Sequence, residues 1–316
     1  RVLTLDLFMG PFMVNKVNLP ILGHGILIPK WKAEVDNIGK ANQDLLDGLP
    51  KMDPFLRPRP VLYKTCAVVG TSGMLLYYSS GKSIDAHDAV FRFNSATTQG
   101  FEDFVGSKTT VRFTDRANFG FSEQPNEIVM QLVTNPHTYE KYVAHRKDDP
   151  SSHVFMVAPE FHLHVVSDLV GPVTPAFYGV LFALQRCQAV NLYGFARGTD
   201  GETPYHYYNA EQPESSELQR ELQEASLVKE LLRRSEGRMH IMEPCVLEED
   251  CEGNCQHCAP GSHCVCGNTM PVAKMGFCMD SGVADCFYNC QDQSECPGGE
   301  GYSLCSGKAH SEECAT

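Results

Sequence analysis

From about residue 61 to residue 242, short uninterrupted apolar runs alternate with polar or turn-forming stretches. The runs predict strands at Cys66–Val69, Val90–Phe93, Thr110–Phe113, Ile128–Leu132, Val154–Val157 and Ala189–Tyr193, and Met239–Met242 reads as a last one. Runs of four or five apolar residues bounded by turn signals suit strands buried on both faces. Helical patterns fill several gaps, notably Tyr178–Gln185. Ser215 to Arg234 is an amphipathic helix, with Ser215 or Ser216 as cap and Arg233 and Arg234 at its C-terminal end. Leu218, Leu222, Ala225, Val228, Leu231 and Leu232 form its expected apolar face, and Gly237 stops it. This alternation predicts an α/β fold with a mostly parallel central sheet flanked by helices.

Composition divides the chain. Its 316 residues suffice for one substantial domain and a smaller one. Residues 1–57 carry apolar clusters broken by prolines, and read as a wrapping stem or as a partly ordered linker. Residues 58–243 hold the α/β pattern. Residues 244–316 are a cysteine-rich tail: twelve of the fourteen cysteines lie there, and Cys66 and Cys187 stand alone before it. That usage points to an oxidising compartment. The tail spacing loosely resembles an EGF-like pattern; a zinc site at Cys255-Gln-His257-Cys258 is the alternative to disulfides. A net charge of −13 argues against nucleic acid as a partner. No apolar run is long enough to span a bilayer.

Candidate chemistry gathers at the predicted strand ends. Gly70-Thr71-Ser72-Gly73 follows the first strand, Asn94 the second, and Gly194-Phe195 the sixth. In parallel sheets ligands sit beyond the carboxyl ends of the strands, and a glycine turn there lets backbone N–H groups approach an anion.

Three stretches in order resemble the motifs of eukaryotic sialyltransferases, glycosyltransferase family 29. Cys66 through Gly81-Lys-Ser-Ile-Asp85-Ala-His87-Asp88 to Asn94, with Gly100 to Thr110, is similar to the large donor motif. Gly171-Pro172-Val173-Thr174-Pro175 through Cys187 to Gly194-Phe195 is similar to the small one, and His206-Tyr207-Tyr208-Asn209 to the third. The resemblance implies a Rossmann-like, GT-A-variant glycosyltransferase. It implies a CMP-linked donor held by Thr71, Ser72, Asn94, Thr174, Gly194, Phe195 and Tyr207, with His206 steadying the leaving phosphate. It implies that Cys66 pairs with Cys187, two free buried thiols being the alternative. It also implies a glycoprotein or glycolipid acceptor, a Golgi or secretory location, and membrane attachment only through an N-terminal anchor that this sequence does not contain. No Asp-x-Asp element occurs, in line with a family that works without a cofactor or metal.

Three departures qualify the match. The family's base is a histidine five residues before a helix glutamate; with Glu224 as that glutamate, Gln219 occupies the place. Glutamine accepts no proton at neutral pH, so Glu221 or Glu217 is the candidate substitute, a solvated helix face being the alternative. Thr71 stands where the family has Asn or Ser. Val173 and Pro175 replace hydroxyl and N–H groups near the donor's sugar, which leaves N-acetylneuraminate or a related ulosonic acid open as donor. The rival to an active transferase is a catalytically weak homologue that binds glycans or proteins through its tail.

Overall fold

The computed structural model describes residues 8, 10–18, 48–51, 53, 55, 62–166, 173–195 and 203–242, together with four short strands in the tail. Along the α/β region run β1 (Tyr63–Val69), α1 (Gly81–Asp85), β2 (Ala89–Phe93), α2 (Glu102–Val105), β3 (Val111–Thr114), β4 (Ile128–Gln131) and α3 (Pro136–Asp148). They continue as β5 (Val154–Met156), α4 (Pro159–Val166), α5 (Pro175–Arg186), β6 (Cys187–Tyr193), α6 (Ser215–Arg234) and β7 (Met239–Ile241). The seven strands form one sheet in the order β5-β4-β3-β2-β1-β6-β7. Every pairing in it is parallel.

Burial on both faces explains the unbroken apolar runs. All residues of β2 and β3 are buried. Successive side chains of a strand point to opposite faces. Phe91 and Phe93 accordingly join one core with Phe113 and α5, whereas Val90 joins another with Ile84 and Val105. Phe182 of α5 packs edge-on against Phe12, Phe55, Phe91, Phe113 and Phe161 at centroid distances of 4.8 to 6.2 Å. The helix reaches the sheet because residue 179 is glycine: a Cβ there would stand 2.4 Å from the Phe93 ring. Cys66 and Cys187 are joined by a disulfide that ties β1 to the start of β6 across 121 residues. Closing so long a loop contributes about 3–5 kcal/mol in the chain-entropy treatment.

Two expectations change. The linker reading of the N-terminal segment fails for its described residues. Phe12, Met13 and Val14 are fully buried. Met13 bridges Val157 in antiparallel sense, Val14 N–H donates to the Met156 carbonyl and Ala158 N–H to that of Phe12. The Asp53 carboxylate accepts from the N–H groups of Phe12, Met13 and Phe55, which fixes the strand-like turn.

The second change concerns α6. Leu218 and Leu222 are 44% and 63% exposed, and Ala225 is exposed as well. Val228 and Leu231 are buried as expected, Leu232 packs against the core from a partly buried position, and Glu224 is buried. The helix is turned so that a carboxylate, rather than the leucines of its first half, faces the domain. In the tail, β8 (Ser262–His263) pairs with β9 (Val272–Ala273) and β10 (Phe277–Met279) with β11 (Phe287–Asn289), both antiparallel. The remainder of the cysteine pattern, with the zinc alternative, lies outside the described residues.

Candidate active site

The strand order reverses at β1: the chain moves outward through β2 to β5 on one side, and through β6 and β7 on the other. Such a switch point opens a crevice at the carboxyl ends of the two central strands. Gly70 ends β1 and Gly194 ends β6. A Cβ on Gly70 would lie 2.4 Å from the Gly194 carbonyl oxygen, and one on Gly73 would lie 2.1 Å from that of Pro204. Gly194 itself has φ +73°, in the left-handed region that glycine tolerates.

The expected anion cradle is therefore corrected. Gly70, Ser72 and Gly73 donate their N–H groups to the carbonyls of Tyr193, Gly194 and Pro204. The glycines serve close approach between backbones. The buried Ser72 hydroxyl accepts from Met74 N–H and caps the 3-10 turn Gly73–Tyr77.

This approach delivers the third motif to the crevice. Ser72 bridges His206, and Tyr207 N–H donates to the Thr71 carbonyl. His206 stacks on Tyr208 with centroids 5.0 Å apart and rings 13° from parallel, and Tyr205 lies 4.5 Å away on a tilt. Tyr207 turns inward instead: it is buried, its hydroxyl donates to the Thr97 carbonyl at 2.7 Å, and its ring meets Phe101 edge-on. Burial raises the Tyr207 phenol pKa well above its ordinary value. The aromatic that lies on His206 is thus Tyr208, which the sequence left unassigned within the motif.

Beneath this loop sits a buried ion cluster. Arg112 of β3 donates from Nε to Glu127 at 2.7 Å, from one terminal nitrogen to Glu123 at 2.8 Å, and from the other to the carbonyls of Asn94 and Ala96. Glu123 also accepts from Thr97 Oγ1 and Thr98 N–H. Burial would raise Glu123, but Thr97, Thr98 and Arg112 together hold its carboxyl below the usual value. Asn94, with φ 48°, exchanges hydrogen bonds with Asp115 through both ends of its amide. Arg112 thereby fixes residues 94–98, and Thr97 in turn receives Tyr207.

A second cluster forms at the start of α5. Thr174 caps this helix by accepting from Phe177 N–H. Its own N–H donates to Glu224 at 2.7 Å, and its hydroxyl donates to the other oxygen of the same carboxylate. One turn along α5, the buried Tyr178 hydroxyl is hydrogen-bonded to His162 Nδ1 of α4, with the two rings stacked 6.0 Å apart and 15° from parallel. Burial raises Tyr178, and the Glu224 charge adds to the effect. Burial likewise raises Glu224, Glu221 contributing further, and lowers His162. Gln219 is exposed and Glu221 half-buried. Phe195, after β6, packs against the core from a partly buried position. Motif reading missed His162 and Tyr178, because neither belongs to a signature and their pairing joins two helices.

Among the described residues, no three His, Cys, Asp or Glu side chains converge as metal ligands, and no helix is long and apolar enough to cross a membrane.

A parallel α/β sheet with its crevice at the β1–β6 switch point defines a nucleotide-binding class of fold, and sequence comparison gives the family. The model of glycosyltransferase family 29 (sialyltransferase) matches residues 14–143 and 127–235, and the chain belongs to this family. It is 33% identical over 195 residues to the pig CMP-N-acetylneuraminate-beta-galactosamide-alpha-2,3-sialyltransferase 1, covering 55% of each chain. It is 30% identical over 187 residues to the bovine beta-galactoside alpha-2,6-sialyltransferase 2, covering 49% of this chain and 38% of that one. The chain thus spans about half or less of the length of these curated relatives. Its fold matches the crystal structure of a mammalian sialyltransferase in complex with Gal-beta-1-3GalNAc-ortho-nitrophenol, with TM-score 0.59 and 23% identity, over 74% of this chain and 90% of that one.

Proposed function

We propose that the protein is an inverting, GT-A-variant glycosyltransferase that moves sialic acid, or a related ulosonic acid, from a CMP-linked donor to a galactoside hydroxyl of a glycoprotein or glycolipid in the secretory pathway. The observation that carries this reading is the backbone bridge between Ser72 and His206, which brings the first and third family motifs together at the β1–β6 switch point. The nucleotide is read as lying against Thr71, Asn94, Gly194 and Phe195, with the buried Ser72 and Tyr207 holding the loop from below. Thr174 places the sugar end. As the glycosidic bond breaks, its electron pair leaves with the CMP phosphate, where His206, backed by Tyr208, meets the growing charge. A single monophosphate leaving group needs no resident metal for this step. The relatives named for alpha-2,3 and alpha-2,6 transfer to galactosides support the donor and acceptor classes.

The test is incubation of the full chain with CMP-sialic acid and a galactoside panel, with release of CMP and formation of sialylated product measured together. Transfer with CMP release in step is expected. Tight CMP binding with neither transfer nor donor hydrolysis overturns the enzyme reading in favour of a binding protein.

A further inference from the structure

An inverting transfer needs a base for the acceptor proton, and this family's histidine is absent at Gln219. We propose that His162 of α4 takes that proton, oriented by Tyr178 and Glu224 and acting beside the turn at Thr174. The inference rests on the transferase reading above.

Three observations place His162. α4 begins directly after the carboxyl end of β5, and α5 begins at Thr174, so the first turns of both helices lie at the ligand-binding edge of the sheet. Tyr178 lies one turn after Thr174 on α5, and its hydroxyl is bonded to His162 Nδ1. Glu224 of α6 grips Thr174 through both of its oxygens and acts electrostatically on Tyr178. A carboxylate, a phenol and an imidazole thus succeed one another across three helices, and the imidazole is the partly exposed member.

The chemistry follows from the tautomer. With Nδ1–H donating to the phenol oxygen, Nε2 carries the lone pair. The acceptor oxygen attacks the anomeric carbon, the carbon–phosphate oxygen bond breaks, its electron pair leaves on CMP, and the acceptor proton passes to His162 Nε2. The imidazolium is then held through its Nδ1–H by the Tyr178 hydroxyl, while Glu224 fixes the turn at Thr174 one helical turn away. The titratable groups around it are Tyr178, bonded from α5, Glu224 of α6, which acts on Tyr178, and Glu160 and His164 on its own helix; its own downward shift comes from burial. Two other histidines are committed to structure: His87 uses Nδ1 on the Ser83 and Ile84 carbonyls and Nε2 on Asn191, and His145 bonds Ser152. Glu221, the substitute suggested by sequence, is a half-buried carboxylate beside Glu224. A carboxylate is tuned for base work near neutral pH by burial, whereas an imidazole needs little tuning.

The decisive experiment compares wild type, His162→Gln, Tyr178→Phe and Glu221→Gln with CMP-sialic acid and a galactoside, across pH 5 to 8, with CMP binding measured on each. His162→Gln is expected to lower kcat roughly 10²–10⁴-fold with CMP affinity unchanged, and to abolish the fall in rate on the acid side. Tyr178→Phe is expected to lower kcat less and to move that acid limb. Should His162→Gln fail to bind CMP, Tyr178→Phe decides: an unchanged kcat and acid limb there overturn the proposal. Transfer that survives His162→Gln, or is lost in Glu221→Gln, overturns it alone. Absence of transfer by the wild-type chain overturns the functional reading and this proposal with it.

Discussion

The two sides of the crevice are built differently. On one side, beside the loop after β2, Arg112, Glu123 and Glu127 form a buried charged cluster in which the guanidinium reaches two carboxylates and two backbone carbonyls. It holds a loop, residues 94–98, that receives the third motif through Tyr207. On the other side, at the start of α5, the buried Glu224 carboxylate grips the helix N-terminus through Thr174, and one turn on the Tyr178 phenol meets the His162 imidazole. The difference shows in proton affinity. Partners pull Glu123 below its ordinary value, whereas burial pushes Glu224 above its own. The first side is a rigid scaffold. On the second, burial sets proton affinity: it raises Glu224 and Tyr178 and lowers His162.

Breaking the scaffold has the largest expected effect. Arg112→Leu leaves two carboxylates without their cation, one of them fully buried, and is expected to cost about 3–5 kcal/mol in urea unfolding, with CMP binding lost alongside. At the start of α5, Thr174→Val removes a helix cap and the hydroxyl bound to Glu224. Its expected cost is about 1–2 kcal/mol by the same measurement, with donor affinity weakened more at the sugar than at CMP.

Acid titration sharpens the contrast by sign. Glu123 contributes stability above about pH 4.5 that is lost as pH falls through its lower folded value. Glu224 is the reverse: its contribution is complete below about pH 4.5 and is lost as pH rises through its raised folded value. Between pH 7 and pH 4.5 the stability gap between wild type and Glu224→Gln is therefore expected to widen on acidification. The gap for Glu123→Gln is expected to narrow once pH falls below 4.5. His162, lowered by burial from 6.5, adds a smaller effect. Below pH 6.5 the unfolded chain takes up a proton before the folded one does, so stability falls with pH until the folded value is passed. Thermal unfolding of wild type against His162→Gln between pH 7.5 and pH 5.5 reads this difference. The smallest expected effect is that of a chelator: EDTA is expected to leave transfer unchanged, and loss of activity reversed by a divalent cation contradicts the metal-independent reading.

Strand positions were legible because each strand of a parallel sheet is buried on both faces and leaves a run of apolar residues in the chain. The observed bounds of β2, Ala89–Phe93, and β6, Cys187–Tyr193, lie close to those runs. The Cys66–Cys187 bridge followed from the family resemblance, and both residues stand clear of the tail's cysteines. The inward face of α6 was not legible. Hydrophobic periodicity marks the leucines of its first half as the buried stripe, but helix rotation answers to a polar contact with a residue fifty positions away, Thr174.

The sequence by itself determined the alternation of strand and helix, the order of the family motifs and the absence of histidine at position 219, because these are local patterns of residue type. Only the tertiary structure decided that the glycines at 70 and 194 serve backbone contact and that Tyr208, rather than Tyr207, lies on His206. It alone brought His162 to Tyr178 and Glu224 to Thr174. Each of these depends on which distant segment fills the space beside a residue, and that is set by packing around the sheet rather than by neighbours in the chain.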